Sequence, residues 1–237
     1  MNIEYIGKEL DYFKEAINWK NYFSDKIIKY IKGDVLEVGA GIGINTNFFT
    51  KNNKRLSSIT CLEPDKKLCE KIITNNHNNL HKINEIITGT IEDIDKKYDT
   101  IIYIDVLEHI EKSKKEIELI KCRLKKDGCL IILVPAYNYL FSEFDKNIGH
   151  FRRYNKAMLN EEIDNQLELK KIFYLDSMGF FASLVNKIFL KKSTLSINNI
   201  KFWDNFLIKI SKISDKLFFH QFGKSLIGVY QKIESER

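Results

Sequence analysis

Residues 35–43 read VLEVGAGIG, an apolar run that ends in three glycines with the spacing GxGxG. Glycine permits a tight turn and lets a ligand approach the main chain with no Cβ in the way. A helix is predicted to open behind this loop over 45–50, with free amides in its first turn. Loops that face a pyrophosphate have the spacing GxGxxG instead. Here Glu37 precedes the first glycine, and this acid suits the ammonium of an amino-acid group better than a phosphate.

Short apolar runs alternate with helical patterns on both sides of this stretch. In chain order they cover 35–38, 58–62, 84–88, 100–104, 129–134, 169–174 and 226–230. Helices are predicted between them, for example over 112–124 and 156–166, and helices precede the first run. Fully apolar strands separated by helices indicate a parallel sheet that is covered on both faces.

The composition excludes several classes of protein. The 237 residues carry 38 Lys and Arg against 32 Asp and Glu, a net charge of +6, and 44% are hydrophobic, which excludes a disordered chain. The four cysteines (Cys61, Cys69, Cys122 and Cys129) have no zinc spacing and are too few for a disulfide framework. The start of the chain lacks the pattern of a secretion signal, and no apolar stretch reaches about 18 residues. We therefore expect a soluble, cytoplasmic protein, whose mild positive charge is weak evidence for nucleic-acid binding.

Polar groups follow the second, third and fourth apolar runs. The second run ends in LEP with Glu63, whose carboxylate can accept both hydroxyls of a ribose. The third leads into GTIED at 89–93, and the fourth, YDTIIYI, leads into DVLEHI at 105–110. With VLEVGAGIG before them and DGCLIILVP after them, these motifs resemble the class I S-adenosylmethionine-dependent methyltransferases over about residues 34–135.

This resemblance implies a fold, a cofactor and a set of site residues. The fold is α/β, with a Rossmann-like, seven-stranded, mostly parallel sheet between helices, an antiparallel last strand, N-terminal helices and a C-terminal helical cap. The cofactor is S-adenosylmethionine, which leaves as S-adenosylhomocysteine, and no metal ion is implied. The implied cofactor-binding residues are Glu37, Gly39, Gly41 and Gly43 at the methionine end, Glu63 at the ribose, Thr90, Ile91 and Glu92 at the adenine, and Asp105 under the sulfonium. Glu108 and His109 stay open between a packing and a catalytic role.

The segment after the fifth run concentrates polar and aromatic side chains, and its GHFRRY core at 149–154 resembles a subgroup often encoded among glycosyltransferases and polysaccharide-assembly enzymes. Ligands of such sheets bind beyond the carboxyl ends of the strands, so we expect the acceptor site here. His150 is the predicted general base, because an ordinary imidazole is largely neutral at pH 7. Asp145 either orients His150 or binds a sugar hydroxyl. The predicted acceptor-binding residues are Tyr137, Arg152, Arg153 and Tyr154; alternatively, Asp145 and the two arginines form ion pairs that hold the segment.

We expect one domain over 1–237, with N-terminal helices at 1–33, a cofactor half at 34–135 and an acceptor half at 136–237. The predicted activity is O-methylation of a small-molecule, sugar or glycan-precursor acceptor, by a monomer or a homodimer. The alternatives are N-methylation of a small molecule, methylation of nucleic acid, and a non-catalytic binding module. Residues 105–108 read DVLE where base-amine methyltransferases usually have an Asn/Asp-Pro-Pro-aromatic motif, so nucleic acid is disfavoured. Aromatic helices at 178–190 and 200–219 form either a cap with core packing or a peripheral contact with the inner membrane face.

Overall fold

The computed structural model describes residues 9–51, 53–76, 80–163, 167–190 and 196–233. Its strands form a single sheet with the order β3-β2-β1-β4-β5-β7-β6. They are β1 (Gly33–Val38), β2 (Leu56–Glu63), β3 (Ile83–Thr88), β4 (Tyr98–Ile104), β5 (Leu124–Pro135), β6 (Leu167–Leu175) and β7 (Ser225–Lys232). Only β7 runs antiparallel to its neighbours, which confirms the predicted fold class.

Helices flank this sheet on both faces. They are α1 (Glu9–Phe13), α2 (Ile17–Ile27), α3 (Ile44–Thr50), α4 (Lys66–Asn75), α5 (Ser113–Arg123), α6 (Glu143–Asn147), α7 (Lys156–Glu162), α8 (Ser177–Val185), α9 (Ile197–Phe202) and α10 (Ile208–Leu217). Short 3-10 turns lie at Ile28–Tyr30, Leu80–Lys82, Ile91–Asp93, Leu107–His109 and Asn138–Leu140, and π-helical turns at Asn186–Leu190 and Trp203–Leu207. The second π-helical turn joins α9 to α10, so one continuous helix spans 197–217.

Alternate residues of the central strands feed two separate cores. Ile101 and Tyr103 of β4 pack on one side of the sheet with α5 and α7, while Ile102 and Ile104 pack on the other side. The second core includes Trp19 of α2 and residues of the 197–217 helix. Each fully buried large aliphatic side chain contributes about 1.5–3 kcal/mol. Burial on both faces is therefore the physical reason why these strands are continuously apolar.

Several element boundaries differ from the predicted ones. Strand β5 begins at Leu124 rather than 129, directly after α5, because the left-handed Asp127 next to Gly128 lets the polar stretch join the strand. Helix α7 ends at Glu162, and residues 164–166 of the predicted helix lie outside the described residues. The helix predicted at 200–219 begins earlier, at Ile197, where the Ser196 hydroxyl accepts the Asn199 amide at 3.3 Å.

Two buried acids anchor the 197–217 helix to distant parts of the chain. Asp204 accepts the backbone amides of Asn18 and Trp19 at 3.0 and 2.8 Å, and so caps the start of α2. Asp215 accepts the amides of Asp176 and Ser177 at 2.7 and 2.8 Å, and so caps α8. Carboxylates at helix N-termini satisfy free amides and complement the helix dipole. Both acids of this helix therefore face inward.

Candidate active site

The glycine loop has the backbone that its sequence predicts. Gly39, Gly41 and Gly43 have φ of 65°, 57° and 74°, in the left-handed region that favours glycine. A Cβ at Gly39 would lie 2.4 Å from a methyl of Val106, which follows β4, whereas one at Gly41 would meet only the tip of Leu10, at 3.6 Å. The loop is therefore closed against the protein at Gly39 and has room at Gly41.

Glu37 is buried at the carboxyl end of β1, with 2% of its surface exposed. The Thr46 hydroxyl of α3 donates to Glu37 Oε2 at 2.6 Å. Burial raises the pKa of Glu37 to about 8, although the bond from Thr46 acts in the opposite direction. The carboxyl therefore holds a proton at neutral pH until a cation approaches it.

Glu63, the predicted ribose ligand, lies next to the glycine loop. Its carboxylate accepts the Gly41 amide at 2.8 Å and the Asp65 amide at 3.0 Å. Burial raises its pKa, against these two bonds. Each carboxylate oxygen has a second lone pair, so both can still accept a ligand hydroxyl.

The turn after β3 combines a capped backbone with one exposed acid. Thr90 donates its amide to Asp93 at 2.8 Å. Ile91 is fully buried in a core, whereas the Glu92 carboxylate lies at the surface in an ion pair with Lys115. Of the three predicted adenine contacts, only Thr90 and Glu92 therefore present side chains toward solvent.

Asp105, Tyr137 and Asp176 follow β4, β5 and β6 at the same edge of the sheet, and all three are left-handed, with φ of 54°, 64° and 66°. Such strain in non-glycine residues is concentrated at functional sites. The Asp105 side chain is exposed, yet desolvation raises its pKa to about 6, while nearby His150 and Lys224 act to lower it. Water reaches the Asp105 carboxyl although protein atoms surround it, so Asp105 lies in a cleft at this edge of the sheet. His150 of the predicted acceptor segment is close enough to Asp105 to act on its pKa.

Asp145 organises the predicted acceptor segment. It is fully buried and bonds His150 Nδ1 at 2.9 Å, while Arg153 donates to both of its oxygens at 2.8 and 2.9 Å. Ser142 donates its amide and hydroxyl to the same carboxylate. These bonds from His150, Arg153 and Ser142 outweigh burial and hold the pKa of Asp145 well below its usual range. With its oxygens occupied, Asp145 is placed to orient His150 rather than to bind an acceptor.

Glu108, His109 and His150 meet beside this cluster. Their ligand atoms lie within 4.8 Å of one another, so they form a group able to hold a metal ion. The His109 and His150 rings meet edge to face at 4.5 Å, and His150 Nε2 lies 3.8 Å from Glu108 Oε1. Both carboxyl oxygens of Glu108 are buried with no hydrogen-bond partner, and burial raises its pKa well above the usual value. The prediction that the site contains no metal stays a prediction.

The remaining predicted acceptor residues are placed differently. Tyr137 is half-buried and stacks on Tyr174 and Tyr139, with ring centroids 4.9 and 5.1 Å apart. Tyr154 is fully buried in the core. The Arg152 guanidinium donates to the carbonyls of Ile110 and Glu111 and to the Ser113 hydroxyl, at the start of α5. The structure therefore does not bring Arg152 and Tyr154 together with His150 as acceptor ligands, because other contacts already occupy them.

The family follows from comparison with known proteins. A family model described as a methyltransferase domain matches residues 9–177. The chain belongs to the methyltransferase family. Ubiquinone biosynthesis O-methyltransferases from two strains of Rickettsia bellii are each 28% identical to it over 197 residues, covering 75% of this chain and 79% of theirs. The protein is thus an S-adenosylmethionine-dependent methyltransferase, as the motifs predict.

Solved structures share the fold of this methyltransferase at low identity. A chain in the complex of the Haloferax volcanii Trm112 activator with a methyltransferase aligns with a TM-score of 0.66 at 13% identity, covering 96% of this chain and 95% of that one. Coclaurine N-methyltransferase aligns at 0.62 and 14% identity, covering 92% and 72%. The cyclase SpnF aligns at 0.61 and 14% identity, covering 90% and 80%. Such likeness establishes the fold and leaves the reaction to the site.

Two lysines of this methyltransferase that were not among the predicted site residues lie near enough to Asp105 to act on its pKa. Burial lowers the pKa of Lys20 to about 8, and the acids Asp204 and Asp105 raise it in return. Burial also lowers the pKa of Lys224, whose ammonium lies 4.7 Å from the centre of the Trp203 ring. Lysine is abundant throughout this chain, so neither residue stands out before the fold brings it near Asp105. A local signal exists only for Lys224, which follows a glycine just before the last strand.

Proposed function

We propose that this methyltransferase O-methylates a small-molecule, sugar or glycan-precursor acceptor, with His150 as the general base. The observation that carries the proposal is the bond between His150 Nδ1 and the buried Asp145, which leaves Nε2, 3.8 Å from Glu108 Oε1, as the ring nitrogen that can take a proton. A hydroxyl is a weak nucleophile that must lose a proton during transfer, and a carboxylate-oriented imidazole provides for that. The O-methyltransferases of Rickettsia bellii support the same chemistry.

The residues at the strand ends fit the cofactor. Glu37 would hold its ammonium, Gly39, Gly41 and Gly43 its methionine end, Glu63 its ribose hydroxyls, Thr90 and Glu92 its adenine, and Asp105 would lie under its sulfonium. The room above Gly41 fits a ligand that approaches the main chain. S-adenosylmethionine supplies an electrophilic methyl group there, so the protein has to align an acceptor and remove one proton.

The charge of the cleft suggests what the acceptor carries. Lys20 and Lys224 both act on Asp105, and Arg153, whose charge Asp145 balances, keeps Nη1 buried without a hydrogen-bond partner. An acceptor with a carboxylate or phosphate near its hydroxyl would complement these cations. A cytoplasmic location is part of the proposal, because all four cysteines are unpaired and a reducing compartment keeps them so.

The test is transfer of a labelled methyl group from S-adenosylmethionine to a small-molecule extract, with the chemistry of the product's linkage then determined. We expect a methyl ether that retains a negatively charged group. The variant Gly39→Arg, which we expect to bind S-adenosylmethionine poorly, serves as the negative control for methyl transfer. A methylamine product would replace O-methylation with the alternative of N-methylation. A labelled product that nuclease digests would favour nucleic acid, and no labelled product at all would favour a non-catalytic module.

Proton release tests the role of Glu37. At pH 7 we expect binding of S-adenosylmethionine to release close to one proton, because an ammonium beside Glu37 stabilises the carboxylate of a group whose pKa is about 8. The release should decline as the pH rises through 8, since the carboxyl is then already ionised. Calorimetry in buffers of different ionisation enthalpy measures the number of protons.

Two variants make this measurement specific. Glu37→Gln still accepts the Thr46 hydroxyl but cannot ionise, so its binding should release no proton. Glu85→Gln, on the exposed side of β3, is the matched control and should behave as the wild type. Equal proton release from the wild type and Glu37→Gln would show that Glu37 does not meet the ammonium.

A further inference from the structure

The outward face of the 197–217 helix is apolar although no other part of the described chain covers it. Ile213 and Leu217 are 73% and 69% exposed, and Phe202 and Phe206, which stack on each other at 5.5 Å, are also exposed. Beyond the helix end, Phe219 is 81% exposed. The opposite side of the same helix supplies Ile200, Trp203 and Ile208 to the core. This helix therefore has two apolar faces, of which only one is needed for folding.

Lysines flank the exposed apolar face. Lys209, Lys212 and Lys216 are spaced three and four residues apart and so form a row beside Ile213 and Leu217. The acids of the helix, Asp204 and Asp215, are both buried and used as helix caps. The solvent side of the helix thus carries positive charge that no acid of the same helix offsets.

More positive charge gathers where the helix ends. Burial lowers the pKa of Lys26, and the neighbouring Lys216 and Lys171 lower it further, against Asp215 and Asp25. Lys26 Nζ also lies 3.4 Å from His220 Nε2. Phe219 and His220 both have left-handed backbones, with φ of 52° and 56°, a strained turn that leaves the Phe219 ring in solvent. Cations and exposed apolar side chains therefore lie side by side.

We propose that this surface, formed by Phe206, Ile213, Leu217, Phe219 and the lysines 209, 212 and 216, binds the headgroup region of an anionic lipid bilayer. Apolar side chains would enter the boundary between headgroups and acyl chains while the flanking lysines contact anionic headgroups. A second copy of the chain is a poorer occupant, because a two-fold contact through this surface would set the lysine row against itself. No helix of the described chain is both long and apolar enough to cross a bilayer.

An aromatic path joins this surface to the cleft. Tyr137 meets the Phe180 ring at 5.5 Å, Phe180 meets Phe222 at 5.6 Å, and Phe222 meets Phe218 at 5.1 Å, next to Phe219. A bilayer bound at Phe219 would therefore lie near the acceptor end of the molecule. The surface itself is independent of the proposed reaction, because none of its residues belongs to the cleft.

Vesicle flotation of the full chain tests the proposal without cofactor or acceptor. We expect the protein to float with vesicles of phosphatidylcholine and phosphatidylglycerol, and to remain behind with phosphatidylcholine alone. Raising the salt concentration should weaken the binding. The double variant Lys209→Glu/Lys216→Glu should lower the partition coefficient at least about tenfold. Leu217→Ser/Phe219→Ser should lower it as well, with little effect on folding, because both side chains are largely exposed.

The matched control is Lys112→Glu/Lys114→Glu, which makes the same charge change at exposed positions where α5 begins, on the other face of the sheet. It should float as the wild type does. Absence of flotation with anionic vesicles, or an equal loss in the control, would overturn the proposal. A wild-type dimer in analytical ultracentrifugation that Leu217→Ser/Phe219→Ser converts to a monomer would overturn it in favour of a second copy. None of these results bears on methyl transfer, which is assayed separately.

Discussion

Gly39→Arg is expected to reduce the affinity for S-adenosylmethionine by at least about 100-fold. A side chain at Gly39 begins with a Cβ 2.4 Å from Val106, in a backbone that L residues rarely adopt. The strain of about 1–3 kcal/mol at such a position has to be relieved by moving the loop, and the arginine side chain also takes up ligand space. Titration calorimetry with S-adenosylmethionine measures the loss.

The thermal unfolding of Gly39→Arg is measured as well, because a displaced loop can also destabilise the fold. Gly41→Arg is the second variant, since its Cβ meets only the flexible tip of Leu10 and the fold has room for it. Asp127→Arg places the same side chain at an exposed left-handed position before the main part of β5, far from the carboxyl ends, and should bind normally. Normal binding by a folded Gly41→Arg protein would show that the cofactor does not lie along this loop.

His150→Asn is expected to slow methyl transfer by about 10²- to 10⁴-fold, the usual contribution of a general base. The asparagine amide nitrogen can take the place of Nδ1 and keep the bond to Asp145, so the segment stays in position while Nε2 is lost. Affinity for S-adenosylmethionine should remain that of the wild type. The rate is measured on the acceptor that label transfer identifies, with kcat and KM determined separately.

The split between the two parameters distinguishes catalysis from positioning. A fall in kcat at constant KM supports a base, whereas a rise in KM alone would make His150 an acceptor ligand. His81→Asn, at an exposed position before β3, is the control for loss of an imidazole. His150→Gln, whose amide nitrogen approaches the position of Nε2, should be as slow as His150→Asn, since an amide cannot accept the proton. Full activity in both variants would remove His150 from the mechanism.

The local structure around the predicted cofactor residues is predictable from sequence because its signals are local. The glycines at 39, 41 and 43 need only their own backbone angles, and Glu63 needs only the end of its strand. The positions of the central strands were also correct, since burial on both faces leaves continuous apolar runs in β4 and β5. Strand ends were less accurate, as at β5, where one left-handed residue lengthens the strand past the apolar run.

The acceptor side depends on contacts that span the chain. Arg152 and Tyr154 looked like acceptor ligands because they sit in a polar segment, but their partners at the start of α5 and in the core are fixed only by the fold. Lys20 reaches the cleft from α2, and the strained Asp176 follows β6, with no motif around either. The sheet brings such residues together in space, and their spacing along the chain does not predict that they will meet.

The caps that Asp204 and Asp215 provide have a consequence for how the chain matures. Asp204 satisfies the amide of Trp19 across 185 residues of sequence, and Asp215 accepts the Tyr22 hydroxyl across 193. During synthesis α2 therefore emerges from the ribosome long before its cap exists, and the second core cannot close until its residues at 200–229 have been made. Contacts of such long range slow the folding step, because their loops must close before any stabilisation is gained. Helix α2 is therefore translated well before the acids that contact it and is among the last elements to become stable.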